Sequence, residues 1–207
     1  QQAAWTRIVQ WMHEHSDARV GLQLGHSGAK GSTRRGWDGI DLPLPDDGPE
    51  PNWPLVSASP QQYLPGVSAL AREITRSEMA QVREEFVASA RRAAAAGFDW
   101  LELHCAHGYL LSSFISPLTN QRRDEYGGSL ANRLRYPLEV FTAVRAVWPD
   151  HLPMSVRISA HDWVEGGITP ADAVHIARAF KDAGADLIDC SSGQVTSREK
   201  PTYGRMY

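Results

Sequence analysis

Two cysteines in 207 residues, Cys105 and Cys190, are too few for a disulfide framework. No apolar run approaches the ~20 residues that a membrane-crossing helix needs. Neither sign of charge is in excess: 21 Lys and Arg against 24 Asp and Glu leave a formal net charge of -3. Such a chain has no general attraction for nucleic acid or for an anionic membrane. Nothing resembles a secretory signal, so a reducing cytoplasmic setting is expected. No G-x-G-x-x-G follows a strand-like run, which counts against a dinucleotide-binding open sheet. A starting Met is also missing: the chain opens Gln1-Gln2-Ala3 and stops at Tyr207, so we expect a segment of a longer polypeptide. What the composition does hold, 42% hydrophobic residues, can bury a core.

Helical and strand-like patterns alternate along it. Trp5, Ile8, Val9 and Met12 sit at helical spacing within residues 3–15. Residues 19–24 then read as a short strand. Thr75-Arg76-Ser77-Glu78 fits a capping box, followed by a helical stripe through Val82, Phe86, Ala90 and Ala93 to Gly97. Residues 98–104 read as a buried strand. Leu130, Leu134, Leu138, Phe141 and Val144 keep helical period, with a kink expected at Pro137. Residues 154–158 and 186–190 are two more strands, separated by a helix that starts with Thr169 as cap and Pro170 in its first turn. Four strands alternating with helices predict a parallel sheet. An internal echo supports repeated β/α units: Ala96-Gly97-Phe98-Asp99 returns as Ala183-Gly184-Ala185-Asp186. Between Gly25 and Gly66 lie 7 Gly and 7 Pro in 42 residues. A stretch so long and irregular is usually functional or disordered; Trp37 and Trp53 suggest an ordered loop that packs on itself.

Polar residues crowd the C-terminal ends of the strands, where β/α barrels keep their sites. These are Gln23 and His26, His104 and His107, Arg157, then Ser191 and Ser192. The densest group is Glu102-Leu103-His104-Cys105-Ala106-His107-Gly108-Tyr109. Two histidines three apart can ligate a metal, bond a ligand, or simply be satisfied by polar neighbours. Tyr109 adds a phenol as a possible proton donor. Zinc would need a third ligand, for which Glu102, His26 or Asp189 is available. Cys105 could be a nucleophile, although such a cysteine is more often just buried. Arg157, set among apolar neighbours, needs an anionic or carbonyl partner; Glu102 and Asp189 are the structural candidates. Gln23 both donates and accepts, which suits a planar imide-like ligand. In the run Ser116–Arg133, we read Arg122, Asp124 and Arg133 as braces of a turn-rich loop.

At these residues the sequence resembles the old yellow enzyme family of FMN-dependent NAD(P)H:flavin oxidoreductases and ene-reductases. Gln23-Leu24-Gly25-His26, the 102–110 segment, the Ser116–Arg133 run and Val156-Arg157-Ile158-Ser159 carry the resemblance, which covers essentially the whole chain. It implies a (β/α)8 TIM barrel, represented here by one partial FMN-binding domain over residues 1–207, about strands three to six. It implies FMN as cofactor and NAD(P)H as reductant, with hydride passed through the flavin to an activated alkene. Gln23 would contact the flavin pyrimidine edge and Arg157 its N1/O2 side. His104 and His107 would hold the substrate carbonyl, and Tyr109 matches the proton-donating tyrosine. The strands that bind the FMN phosphate would lie outside this segment. The loop Gly25–Gly31 with Trp37-Asp38-Gly39 resembles more narrowly the reductase half of salicylyl-CoA 5-hydroxylase and 2-aminobenzoyl-CoA monooxygenase/reductase proteins, where an FAD monooxygenase module would precede this chain. Expected partners are a small-molecule substrate, the rest of the parent chain and, in a homo-oligomer, further copies. Two rivals stand beside this reading: a metal-dependent β/α-barrel hydrolase using His104, His107 and Glu102, and a catalytically incomplete fragment.

Overall fold

Short strands and amphipathic helices do alternate. The computed structural model describes residues 1–45 and 47–202 and contains, in chain order, helix α1 (Gln2–His15), strands β1 (Gly21–Leu24), β2 (Val56–Ser57) and β3 (Arg72–Glu73), helix α2 (Arg76–Ala96), strand β4 (Trp100–Cys105), helices α3 (Leu110–Ile115) and α4 (Leu130–Arg145), strand β5 (Met154–Ser159), helix α5 (Pro170–Asp182) and strand β6 (Leu187–Ser191). The main sheet has the order β1-β4-β5-β6, and every pair is parallel. The four expected strands are thus adjacent in chain order. β2 and β3 form a separate two-stranded pair.

The alternation of side chains along each strand sorts the sheet into two faces. One face carries Leu101, Leu103, Met154, Val156 and Ile158, all buried against the helices. On the helix side they meet Phe86, Val140, Phe141, Ile176 and Phe180, and the Phe141 and Phe180 rings pack edge to face at 5.5 Å. The opposite face, from Gln23 and Glu102 to Arg157 and Asp189, is polar. That division turns one sheet into both a core wall and a site floor.

Helix starts follow the caps anticipated from sequence. Thr75 accepts from the Glu78 backbone N–H while the Glu78 side chain accepts from the Thr75 backbone, a full capping box. Thr169 and Asp172 repeat the arrangement at α5, with Pro170 in the first turn. The internal echo has a structural meaning. Asp99 accepts from the Val20 N–H at 2.8 Å and Asp186 from the Met154 N–H at 2.8 Å, so each aspartate latches the start of the strand beside its own. α4 runs on through Pro137, which is buried.

Three expectations change. Trp37 and Trp53 are 81% and 51% exposed and do not pack the long loop. Polar side chains order it instead: buried Ser32 donates to the Asn52 side-chain oxygen at 2.7 Å and accepts from the Trp53 N–H at 3.2 Å. β1 starts at Gly21 rather than at 19, because His13, Arg19 and the Val20 N–H all turn to Asp99. Finally, in α1 only Val9 is buried; Trp5 and Ile8 are nearly half exposed.

Candidate active site

The polar face of the sheet is built by register. Gln23 lies opposite Glu102, and His104 and Asp189 flank Arg157 on either side. The Gln23 amide donates to Glu102 at 2.7 Å, and Glu102 accepts from Ser155 at 2.8 Å. Arg157 pairs with Asp189 at 3.2 Å and reaches the Ser191 hydroxyl at 3.4 Å. The ion pair with Asp189 is the structural role foreseen for this arginine, yet it does not use the whole guanidinium: Nε is buried with no partner. A buried N–H without an acceptor is costly, so the guanidinium is incompletely satisfied within the chain. The Gln23 amide, which can both donate and accept, and the partly exposed Arg157 guanidinium share this floor.

Above this floor the end of β4 turns sharply. His107 has φ +63° and Gly108 φ +74°. A Cβ on Gly108 would stand 2.8 Å from the Gln194 carbonyl oxygen, so only glycine lets the turns after β4 and β6 stack this closely. The turn brings the two imidazoles together. His104 Nδ1 accepts from the Ala106 N–H at 3.1 Å, which puts the proton of its neutral ring on Nε2. That Nε2 lies 3.3 Å from His107 Nδ1, and His107 Nε2 lies 2.6 Å from Ser191 Oγ. The bonds assign a directed chain: His104 donates to His107, and His107 donates to Ser191. Both rings are neutral. Desolvation, with the Arg157 and Lys30 charges nearby, brings each imidazole down to about 4. The His104 ring also meets Tyr109 edge to face at 4.8 Å.

Tyr109 stands at the N-cap position of α3 without a side-chain cap bond, and the loop after β1 packs against it. The Leu110 N–H donates to the His26 carbonyl at 2.9 Å. Gly28 sits at φ +60°, where a Cβ would come within 2.7 Å of the Leu110 nitrogen. This close approach delivers Lys30, whose ammonium stands 4.1 Å over the Tyr63 ring and 5.6 Å from the Tyr109 ring.

The structure therefore gathers Gln23, Arg157, His104, His107 and Tyr109 on one end of one sheet. Lys30 and Tyr63 join them without having been singled out; the closely spaced glycines of Gly25–Gly31 were the signal that a backbone packs tightly here. The loop run behaves as a brace: Arg122 donates to the Ala58 and Ile74 carbonyls and pairs with Asp124, and Arg133 donates to the Ile115 carbonyl. The metal reading loses its ligands. Among the described residues no three His, Cys, Asp or Glu side chains converge. Glu102 is bonded to Gln23 and Ser155, Asp189 to Arg157, and His26 Nδ1 accepts from the Gly28 N–H. Cys105 is fully buried among apolar side chains, which pushes its thiol pKa up and leaves it a poor nucleophile.

Residues 1–204 match the model of the NADH:flavin oxidoreductase / NADH oxidase family. The chain is 38% identical over 198 residues to an NADPH dehydrogenase of Halalkalibacterium halodurans, covering 96% of this chain and 52% of that protein. An NADPH dehydrogenase of Clostridium acetobutylicum is 41% identical over 179 residues, covering 86% and 47%. The chain thus spans about half the length of the curated relatives it matches. The solved old yellow enzyme homologue from Zymomonas mobilis superposes with a TM-score of 0.75 at 26% identity, over 92% of this chain and 52% of that one. The four-stranded parallel sheet is accordingly part of a (β/α)8 barrel.

Proposed function

Because the chain belongs to the NADH:flavin oxidoreductase / NADH oxidase family, we propose that it forms the central part of the barrel of an FMN-dependent oxidoreductase of the old yellow enzyme type. The enzyme takes hydride from NAD(P)H and delivers it to an activated alkene such as an α,β-unsaturated carbonyl compound. The observation that carries this reading is the neutral His104–His107 pair set beside Arg157 and Tyr109 at the strand ends. Among the described residues metal ligation by the pair has no third partner, whereas two neutral imidazoles can each offer an N–H to a carbonyl oxygen.

FMN, when bound, supplies the hydride relay between nicotinamide and alkene. The chain's own residues do the rest. Gln23 and the Arg157 guanidinium would hold the imide edge of the ring, and the guanidinium favours negative charge there. His104 and His107 exchange the bonds they make to one another and to Ser191 for bonds from their N–H groups to the substrate oxygen, which draws electron density away from the β-carbon. Tyr109 gives its hydroxyl proton to the α-carbon. If the narrower resemblance to the reductase half of salicylyl-CoA 5-hydroxylase and 2-aminobenzoyl-CoA monooxygenase/reductase proteins holds, the activated substrate is a CoA thioester conjugated to a dearomatised ring.

The intact protein should bind FMN stoichiometrically, and anaerobic NADPH or NADH should bleach it. Purified protein that takes up no flavin on titration would overturn this reading.

A further inference from the structure

We propose that Lys30 is a positioning residue of this site, its ammonium clasping the turns after β4 and β6 so that the His107 ring meets His104 and Ser191. The inference rests on the functional reading above for its catalytic meaning, but its geometry stands without a flavin. Lys30 Nζ lies 3.4 Å from the His107 carbonyl and 3.4 Å from the Gln194 carbonyl. Those two residues are both non-glycine positions in the left-handed region, at φ +63° and +61°. Such conformations persist only where their surroundings hold them. A second bridge spans the same two turns: the His107 N–H donates to Ser159 Oγ at 2.9 Å, and Ser159 donates to the Gly193 carbonyl at 3.1 Å. Ser159 belongs to the sheet between the turns. Lys30 ties the same turns through their carbonyls and comes from a loop that Gly28 seats against α3.

The clasp is also a charge. The groups facing the imidazole pair are Arg157 and Lys30, which oppose its protonation, and Asp189, which favours it. Tyr109 and Ser191 are the neutral neighbours. Half-buried Lys30 is itself pressed toward its neutral form by desolvation, and Asp41 and Glu199 counter that pressure. Removing its cation therefore loosens the turns and eases protonation of the imidazoles together.

The test uses the intact protein with Lys30→Met and Lys30→Arg. NMR titration of the histidine side chains should show the His104 and His107 midpoints rising by about one unit in Lys30→Met, since a nearby like charge is gone. Amide exchange at His107 should quicken about tenfold, as expected for one lost charge-assisted bond. Lys30→Arg, which keeps the charge and can reach both carbonyls, should restore both readouts. In the flavin-loaded enzyme, kcat/KM for alkene reduction should fall about tenfold in Lys30→Met with flavin content unchanged. Faster exchange with unmoved midpoints would reduce Lys30 to loop packing and overturn the proposal, as would no change in either. Shifted midpoints and exchange in a protein that binds no flavin would support the clasp while sinking the flavin reading.

Discussion

His104 and His107 make the sharpest residue-level expectations. A para-substituted phenol should bind above the flavin as phenolate, held by the two imidazoles, and give a long-wavelength charge-transfer band. Replacing both with Ala should abolish the band and leave FMN bound. Tyr109→Phe should keep the band and slow alkene reduction by about 10²-fold or more, because only proton delivery is lost. The same pair sets a pH dependence. Each imidazole is held at about 4 in the folded protein against about 6.5 unfolded. The unfolded chain therefore binds more protons between those values, so stability rises with pH across that window and is level above it. Denaturant midpoints taken from pH 4 to 7 should climb less steeply in His104→Gln than in the unaltered protein; parallel slopes would mean the rings are not held neutral. Most of the candidate residues were legible from sequence because they end short apolar runs, where a polar side chain has no core role to fill. Lys30 was not, since one lysine in a glycine-rich loop looks like any surface lysine until the fold brings two strained carbonyls to it.

Among the elements, α2 and α5 were legible because Thr75-x-x-Glu78 and Thr169-Pro170 carry their own start signals. Thr75→Ala should cost about 1 kcal/mol by losing the cap, read as a lowered thermal midpoint. α3 was missed for a physical reason: every residue of Leu110–Ile115 is buried, so no polar face marks a helical period. β2 and β3 escaped as well, being two residues each and paired only across distant sequence. The long loop was recognised as special, yet its tryptophans misled, because aromatic content does not tell which side of a chain meets the core. Its order depends on close backbone approach. Gly28→Ala, strained by a left-handed φ and by contact with the Leu110 nitrogen, should cost about 1–3 kcal/mol. It should also lift Lys30 from its carbonyls, so that alkene reduction falls even where the protein remains folded.

On the scale of the molecule, a parallel sheet of four strands has two outer strands, β1 and β6, each paired on one side among the described residues. Leu187 stands 45% exposed on β6. Unpaired strand edges with apolar side chains invite association. The 207-residue chain prepared by itself should therefore self-associate with rising concentration in sedimentation experiments, and Leu187→Lys should weaken this; a strictly monomeric chain would show that the edges are protected. The parallel β/α class was legible because strand–helix alternation survives in any piece of it; the barrel itself came from the family resemblance, because closure involves strands distant in sequence. The polar face has a consequence of its own. Gln23–Glu102–Ser155 ties β1 to β4 and β5, Arg157–Asp189 ties β5 to β6, and His107–Ser191 spans from the end of β4 to β6. A ligand that takes the Gln23 N–H or the His107 N–H exchanges a strand-to-strand bond for one to itself. Occupancy and sheet cohesion are then thermodynamically linked. A ligand matching those bonds in number and direction leaves the sheet as firm as it found it. A poorer match is felt as faster amide exchange along β1 and β6, far from the atoms it touches.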